Sequence, residues 1–385
     1  SPNVTFTGVV GTAPFTFTYS INGGAAQTVS TISGNIVTVA APTTVAGSFV
    51  YTLVSVADVN GCSQSQSGSA TINVNPSPAA TISGTTSVCI GGTAPTVTFT
   101  GAGGTAPYKF TYNINGGANT TVTSVGASVT VSAPTGTAGS FNYNLISVQD
   151  ASTTACSQTQ TGKATITVNP LSVGGTVSAS AHACYNINSG TLTLSGNTGN
   201  VLMWQFSKDN LTSWTDIANT TNTYTYTNIT QTISYRAVVQ SGVCSSANSA
   251  AALITVDATT KPGIVNANAT VCSASNGATL TLTANTGSVI RWESSIDKGV
   301  TYTAIANITA TQTYSNLTQT TFYRAQVQSG VCAIAPTLPD TITVKILPSA
   351  TITGTSSVCL NGAAPLITFI GNGGTPPYTF TYNIN

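Results

Sequence analysis

The sequence is poor in charge. Only 4% of its 385 residues are Asp, Glu, Lys or Arg, against roughly 25% in an ordinary soluble domain. Nine cations against eight anions leave a formal net charge of +1, and the cations are scattered. Nucleic acid is therefore excluded as a partner, because a phosphate backbone is held by clustered cations. Histidine occurs once, at His182, and glutamate once, at Glu293. General acid–base pairs cannot be assembled from so few groups, so the expectation is a protein that is not an enzyme, with no catalytic residues and no cofactor. With no CxxC pair and one histidine there is no plausible metal set either. A GxSxG elbow is missing, and the GKAT at Gly162 has Ser157 where a phosphate loop requires glycine. Long apolar runs are absent as well: Thr, Asn, Gly and Pro break each one well before the ~18 residues that spanning requires, although mean hydropathy is +0.22. No membrane-spanning segment is expected. Ser1 opens on strand-like sequence without the basic and apolar regions of a signal peptide, which is expected to lie outside this chain or to have been removed.

What is present argues for folding. Hydrophobic residues make up 41% of the chain, too many for intrinsic disorder, and 385 residues allow two to four domains. The eight cysteines read as structural disulfides of an oxidising, extracellular or cell-surface setting.

Internal repetition organises the rest. Cys184, Trp204, Tyr235, Arg236 and Cys244 return 88 residues later as Cys272, Trp292, Tyr323, Arg324 and Cys332. A second type of unit appears in GTAPFTFTYSINGG from Gly11 and GTAPYKFTYNINGG from Gly104, and again in GTPPYTFTYNIN from Gly374. These periods predict five segments: residues 1–75 (first type, incomplete at its start), 76–170 (first type), 171–257 and 258–347 (second type), and 348–385 (the start of another first-type module). ATINVNP, ATITVNP, ALITVD and DTITVK end the four modules, followed closely by proline. Such short junctions are expected to restrict hinge motion.

Within a module, Thr, Val, Ile and Tyr alternate with period two, as in FTFTYSI, TLTLSG and TYTYTNI, between turns rich in Gly, Asn, Pro and Ser. Helical spacing is nowhere sustained. The predicted fold class is all-β: a tandem array of Ig-like antiparallel β-sandwich modules joined by short linkers, each of roughly seven strands. Threonine suits the outward positions, since its β-branch favours extended backbone while its hydroxyl stays solvated.

Each complete module has one early and one late cysteine, which suggests the bonds Cys89–Cys156, Cys184–Cys244 and Cys272–Cys332. Closed loops of that length would contribute about 4 kcal/mol each. Cys62 and Cys359 are left over, unpaired within the chain or paired between modules or subunits. Two accounts fit them. In one, the chain is a window of a longer continuous array, since residues 364–385 repeat the region of 1–22. In the other, residues 347–363 of one subunit complete the first module of the next, with Cys359 bonded to Cys62.

SVADVNGCSQSQSGSATINV, with Asp58, Gly61 and Cys62, its partial echo SVQDASTTACSQTQTGKATITV, with Asp150 and Cys156, and the pair YRAVVQSGVCSSANSAAALITV and YRAQVQSGVC carry a resemblance. They resemble the Ig-like and PKD-like repeats of very large surface and secreted proteins of Bacteroidota, including gliding-motility adhesins of the SprB type. The resemblance covers essentially the whole chain and implies export by type IX secretion and surface display. It also implies that Asp340-Thr341-Ile342 is an O-glycosylation signal. It names no activity, since such modules serve as stalks, fibres and enzyme appendages.

Trp204 and Trp292 are expected in the sandwich cores. Trp214 and its counterpart Tyr302 are the possible surface contacts, for instance a stacking platform for a surface glycan, while Arg236 and Arg324 are expected to stack on a neighbouring aromatic. His182, replaced by Thr270 in the sister module, reads as a surface loop residue. Asp58 and Asp150 read as turn-capping carboxylates. The function these features predict is a structural or adhesive extracellular filament or stalk that self-associates, the low charge leaving little repulsion between copies. The alternative is a glycan-binding array attached to a secreted enzyme.

Overall fold

A computed structural model describes residues 1–266 and 268–385, and among these the chain contains no helix. It divides into two units, one of residues 1–171 with 241–245, the other of residues 172–240 with 246–385.

Residues 76–170, in the first unit, show the plan. Strand Thr96–Ala102 lies between Ser128–Ser132 and Ala79–Ser83 in a three-stranded sheet. The facing sheet runs Thr120–Thr123, Lys109–Ile114, Gly139–Gln149, Lys163–Asn169, Thr86–Cys89, with Ser157–Thr159 on Gly139–Gln149. The alternation in the sequence is the alternation in the structure: Val97, Phe99, Phe110, Tyr112, Tyr143, Ala164, Ile166 and Val168 are buried between the sheets while the threonines between them face out. The leading segment gives its first half, Ala79–Ser83, to one sheet and its second half, Thr86–Cys89, to the other. The second half pairs parallel to the module's last strand, Asn169 opposite Cys89, so the sandwich is antiparallel except at this edge.

Residues 171–257 and 258–347 each repeat this plan around a buried tryptophan of the second unit, Trp204 or Trp292, whose indole N–H donates to the Thr221 or Thr309 carbonyl at 2.9 Å. The leading segments again end in strands parallel to the last ones, with Cys184 opposite Asp257 and Cys272 opposite Lys345. Among the described residues each of these modules has nine strands rather than about seven, because the leading segment is split and short edge strands such as Thr215–Ile217 and Ala247–Asn248 form.

Residues 1–75 build the same core on Phe6, Phe17, Tyr19 and Tyr51 but bury it less completely. Strand Asn3–Thr7 pairs only with Ile36–Ala40, and Ser69–Val74 only with Gly47–Ala57. Ala70, Ile72, Val74 and Leu53 are accordingly exposed or half-buried where Ala164, Ile166, Val168 and Leu145 of the next module are at most 2% exposed. At the other end of the chain Ser349–Thr353 pairs with Thr368–Asn372.

Candidate functional site: disulfides between consecutive modules

The cysteines are paired differently from the sequence expectation. The bonds are Cys89–Cys244 and Cys184–Cys332, with Cα separations of 4.8 and 4.9 Å, and Cys62, Cys156, Cys272 and Cys359 are free thiols. Cys156 and Cys272 are thus not in disulfides, and none of the three bonds within a module forms.

Register gives the reason. Cys184 lies beside Asp257, three residues past the pairing of Ile254 with Ile233, beyond the start of strand Ile233–Gln240. Cys244 lies beyond the other end of that strand. The two are separated by more than its length, about 26 Å for eight residues, whereas a disulfide needs Cα atoms within about 7 Å. The parallel pairing of first and last strands puts Cys89, Cys184 and Cys272 at the trailing ends of their modules, and the turns after the long strands Gly139–Gln149, Ile233–Gln240 and Thr321–Gln328 put Cys156, Cys244 and Cys332 at the leading ends. The bonds therefore run from the early cysteine of one module to the late cysteine of the following one.

The same geometry recurs around each bond. Gly242 takes φ +50° with the Asn169 side chain against it; a Cβ there would lie 2.2 Å from Asn169 Oδ1. Gly330, also at φ +50°, packs identically on Asp257, and the Val331 N–H donates to Asp257 Oδ2 at 3.0 Å. That backbone bond, more than the His182 ring 3.1 Å away, holds the Asp257 carboxyl below its usual range against partial burial. His182 is exposed, on strand Ala181–Cys184 rather than in a loop. In the first unit Asn75, the counterpart of Asn169, donates to Thr154 Oγ1, itself 3.2 Å from the Cys156 sulfur.

The late turns are built on carboxylates. Asp58 accepts from the Asn60 and Cys62 N–H groups, both at 3.0 Å, and Asp150 from the Ser152 hydroxyl at 2.8 Å and the Thr105 N–H at 3.1 Å. Burial would raise both pKa values, but these hydrogen bonds lower them. Ala155, at φ +48°, stands where the sister turn has Gly61 at φ +79°.

Trp214 and Tyr302 are half-buried, each with a guanidinium over its ring: Arg236 at 4.0 Å and Arg324 at 3.6 Å from the ring centres. One face of each aromatic is thereby occupied. Sequence reasoning passed over Glu293. It is buried, accepts from Arg291 at 2.7 Å, Arg324 at 2.6 Å and Gln326 at 3.0 Å, and has its carboxyl lowered by these donors against the opposing effect of burial. Gln205 replaces it in the sister module, still accepting from Arg236 at 2.8 Å. Among the described residues no group of three or more His, Cys, Asp or Glu side chains is placed to hold a metal ion.

Residues 173–258 and 261–346, together less than half the chain, match the family described as "Domain of unknown function (DUF8696)". No curated protein matches the sequence. Solved structures similar to it include a calcium-stabilised adhesin that helps an Antarctic bacterium reach out and bind ice, at 14% identity and TM-score 0.33 over 89% of this chain and 93% of that one. The first three fibronectin domains of chicken CNTN1 match at 12% identity and TM-score 0.27 over 70% of this chain and 97% of that one. Immunoglobulin domains 1–4 of Sidekick-1 match at 10% and 0.30 over 89% and 94%. At these scores the likeness carries neither a shared domain arrangement nor a shared role.

Proposed function

We propose that the chain is part of a non-enzymatic, extracellular structural or adhesive array that resists being pulled apart. The observation that carries this reading is the pair of disulfides joining consecutive modules. A bond inside a sandwich limits the extension of that sandwich alone, whereas a bond from one module to the next limits the extension of both when they unfold. The parallel contact of first and last strands supports the same reading: a module pulled from its two ends loads the hydrogen bonds between Thr86–Cys89 and Lys163–Asn169 together, in shear, rather than one after another. Disulfides of this kind persist in oxidising surroundings, which favours the cell surface or the exterior. Surface display through type IX secretion in a Bacteroidota host, a place in gliding adhesion, and lateral association of weakly charged copies complete the proposal. The test is immobilised chain presented to abiotic and glycan-coated surfaces under flow. Retention that survives flow with disulfides intact and falls on reduction supports the reading; retention unaffected by reduction, or none on any surface, contradicts it.

A further inference from the structure

A sheet edge exposes main-chain N–H and C=O groups that another strand can take up, and folded proteins close such edges with charge, proline or a covering group. In the second unit the sister strands Thr223–Thr227 and Thr311–Ser315 each end a three-stranded sheet, paired on one side only, with Ser189–Ser195 and Gly277–Thr283. The Leu194 N–H donates to the Asn222 carbonyl and the Asn228 N–H to the Asn188 carbonyl, so even-numbered residues face the sheet. Thr223, Thr225 and Thr227 therefore turn their main-chain groups outward. The same parity, set by Leu282 on Ala310 and Asn316 on Asn276, turns Thr311, Thr313 and Ser315 outward. The two edges differ in their covering. The Thr311 carbonyl accepts from Asn307 Nδ2 at 2.7 Å and from the Thr309 hydroxyl at 2.9 Å, and the Thr313 carbonyl accepts from Gln312 Nε2 at 2.7 Å. Along Thr223–Thr227 the first cap is kept, with Asn219 Nδ2 at 3.0 Å and the Thr221 hydroxyl at 2.8 Å from the Thr223 carbonyl. Tyr224 stands where Gln312 does, its ring set against Trp204 and Tyr235, and it has no amide to offer. Among the described residues no side chain caps Thr225, and no residue from Ile217 to Tyr235 is charged.

We infer that Thr223–Thr227 is a seam between copies, pairing antiparallel with the same strand of a second copy of this chain about a two-fold axis at Thr225. The strand reads TYTYT in both directions, so this register sets Thr225 opposite Thr225, Tyr224 opposite Tyr226 and Thr223 opposite Thr227. The two Thr225 residues exchange both of their main-chain bonds, and each Thr223 N–H donates to the Thr227 carbonyl of the other copy, which leaves the Asn219 cap on Thr223 in place. Threonine pairs line the outer face of the joined sheet, where the Thr191 and Thr225 hydroxyls already lie 3.2 Å apart. On the inner face the tyrosine pairs join two ring clusters, each of Trp204, Tyr224, Tyr226 and Tyr235. A second copy fits this edge because the palindrome is its own complement and the strand brings no like charge to the contact.

The inference rests on the lateral association proposed above and gives it a place; seam formation without surface retention under flow, or retention undiminished by Thr225→Lys, separates the two. Thr225 is exposed, so a charge there probes the seam without entering the core. Ser128–Ser132 of the first unit, SVTVS, is also uncharged and symmetric but carries half-buried valines in place of rings. Thr130→Lys closes that edge, and the full chain with this substitution and its free thiols alkylated is the parent for the test. Analytical ultracentrifugation over a concentration series should show the parent associating reversibly. Thr225→Lys and Thr225→Glu should each raise the dissociation constant about tenfold or more, since the axis sets two like charges face to face. An equimolar mixture of the two variants should associate about as tightly as the parent, and Thr313→Lys, on the capped sister edge, should change nothing. Thermal melts matching the parent's show that the variants fold. A parent that stays monomeric, Thr225 variants that associate as the parent does, a mixture no tighter than its components, or an equal loss with Thr313→Lys overturns the inference.

Discussion

Pulling the chain from its ends tests the crossed bonds, in a variant whose Cys62, Cys156, Cys272 and Cys359 are serine so that copies cannot cross-link. Once the modules have unfolded, tension takes the shortest covalent route. Between Cys89 and Cys332 that route crosses Cys89–Cys244, runs back along the 60 residues from Cys244 to Cys184 and crosses Cys184–Cys332, leaving 183 residues slack. At about 3.6 Å per extended residue the contour falls short of the fully reduced chain by roughly 660 Å. The two loops overlap, so they are largely redundant. Cys244→Ser reroutes tension through Cys184–Cys332 alone, which still leaves 148 residues slack, and should lengthen the contour by only about 125 Å. Removing both bonds should release the full roughly 660 Å. Optical tweezers resolve these lengths. If either single substitution released hundreds of ångströms, the loops would not overlap and the reasoning would be refuted.

Other consequences concern single residues. Ala155→Gly relieves a left-handed alanine and should stabilise residues 76–170 by about 0.5–1 kcal/mol, less than the strain itself because glycine gains freedom when unfolded; thermal melting of the two proteins checks this. Glu293→Gln keeps an acceptor for Arg324, as Gln205 does for Arg236, and should cost about 1 kcal/mol, whereas Glu293→Ala leaves buried donors unpaired and should cost about 2–3 kcal/mol in urea unfolding. Equal costs would show that the charge alone matters. Asp209 and Asp297 have carboxyls lowered from 3.8 to about 2 by the hydroxyls and N–H groups of Ser213 and Thr301, with Ser207 and Ser295. A depressed native pKa stabilises above the unfolded value and is lost as pH falls through the native one, so these turns should add nothing variable from pH 5 to 8 and weaken between about 4 and 2. Urea midpoints across that range should stay level and then drop; a decline beginning near pH 6 would contradict the assignment.

The sandwich itself is written in the sequence, because inward positions are aromatic or aliphatic and outward ones are Thr at strict period two, as in Val97, Phe99 and Phe110, and the 88-residue repeat carries each core tryptophan to its sister. Cysteine partners were not legible. Their pairing depends on which end of the sandwich each occupies, and that follows from the parallel edge at Cys89 and Asn169, a contact between residues 80 apart that no local pattern announces. Glu293 escaped notice for a related reason, since its two arginines come from its own strand and from the neighbouring one.

The offset between modules is tested most directly by disulfide mapping of the oxidised, unmodified chain, digested without reduction and read by mass spectrometry. Cross-linked peptides joining Cys89 to Cys244 and Cys184 to Cys332 are predicted. Peptides joining Cys89 to Cys156, Cys184 to Cys244 or Cys272 to Cys332 would contradict the account.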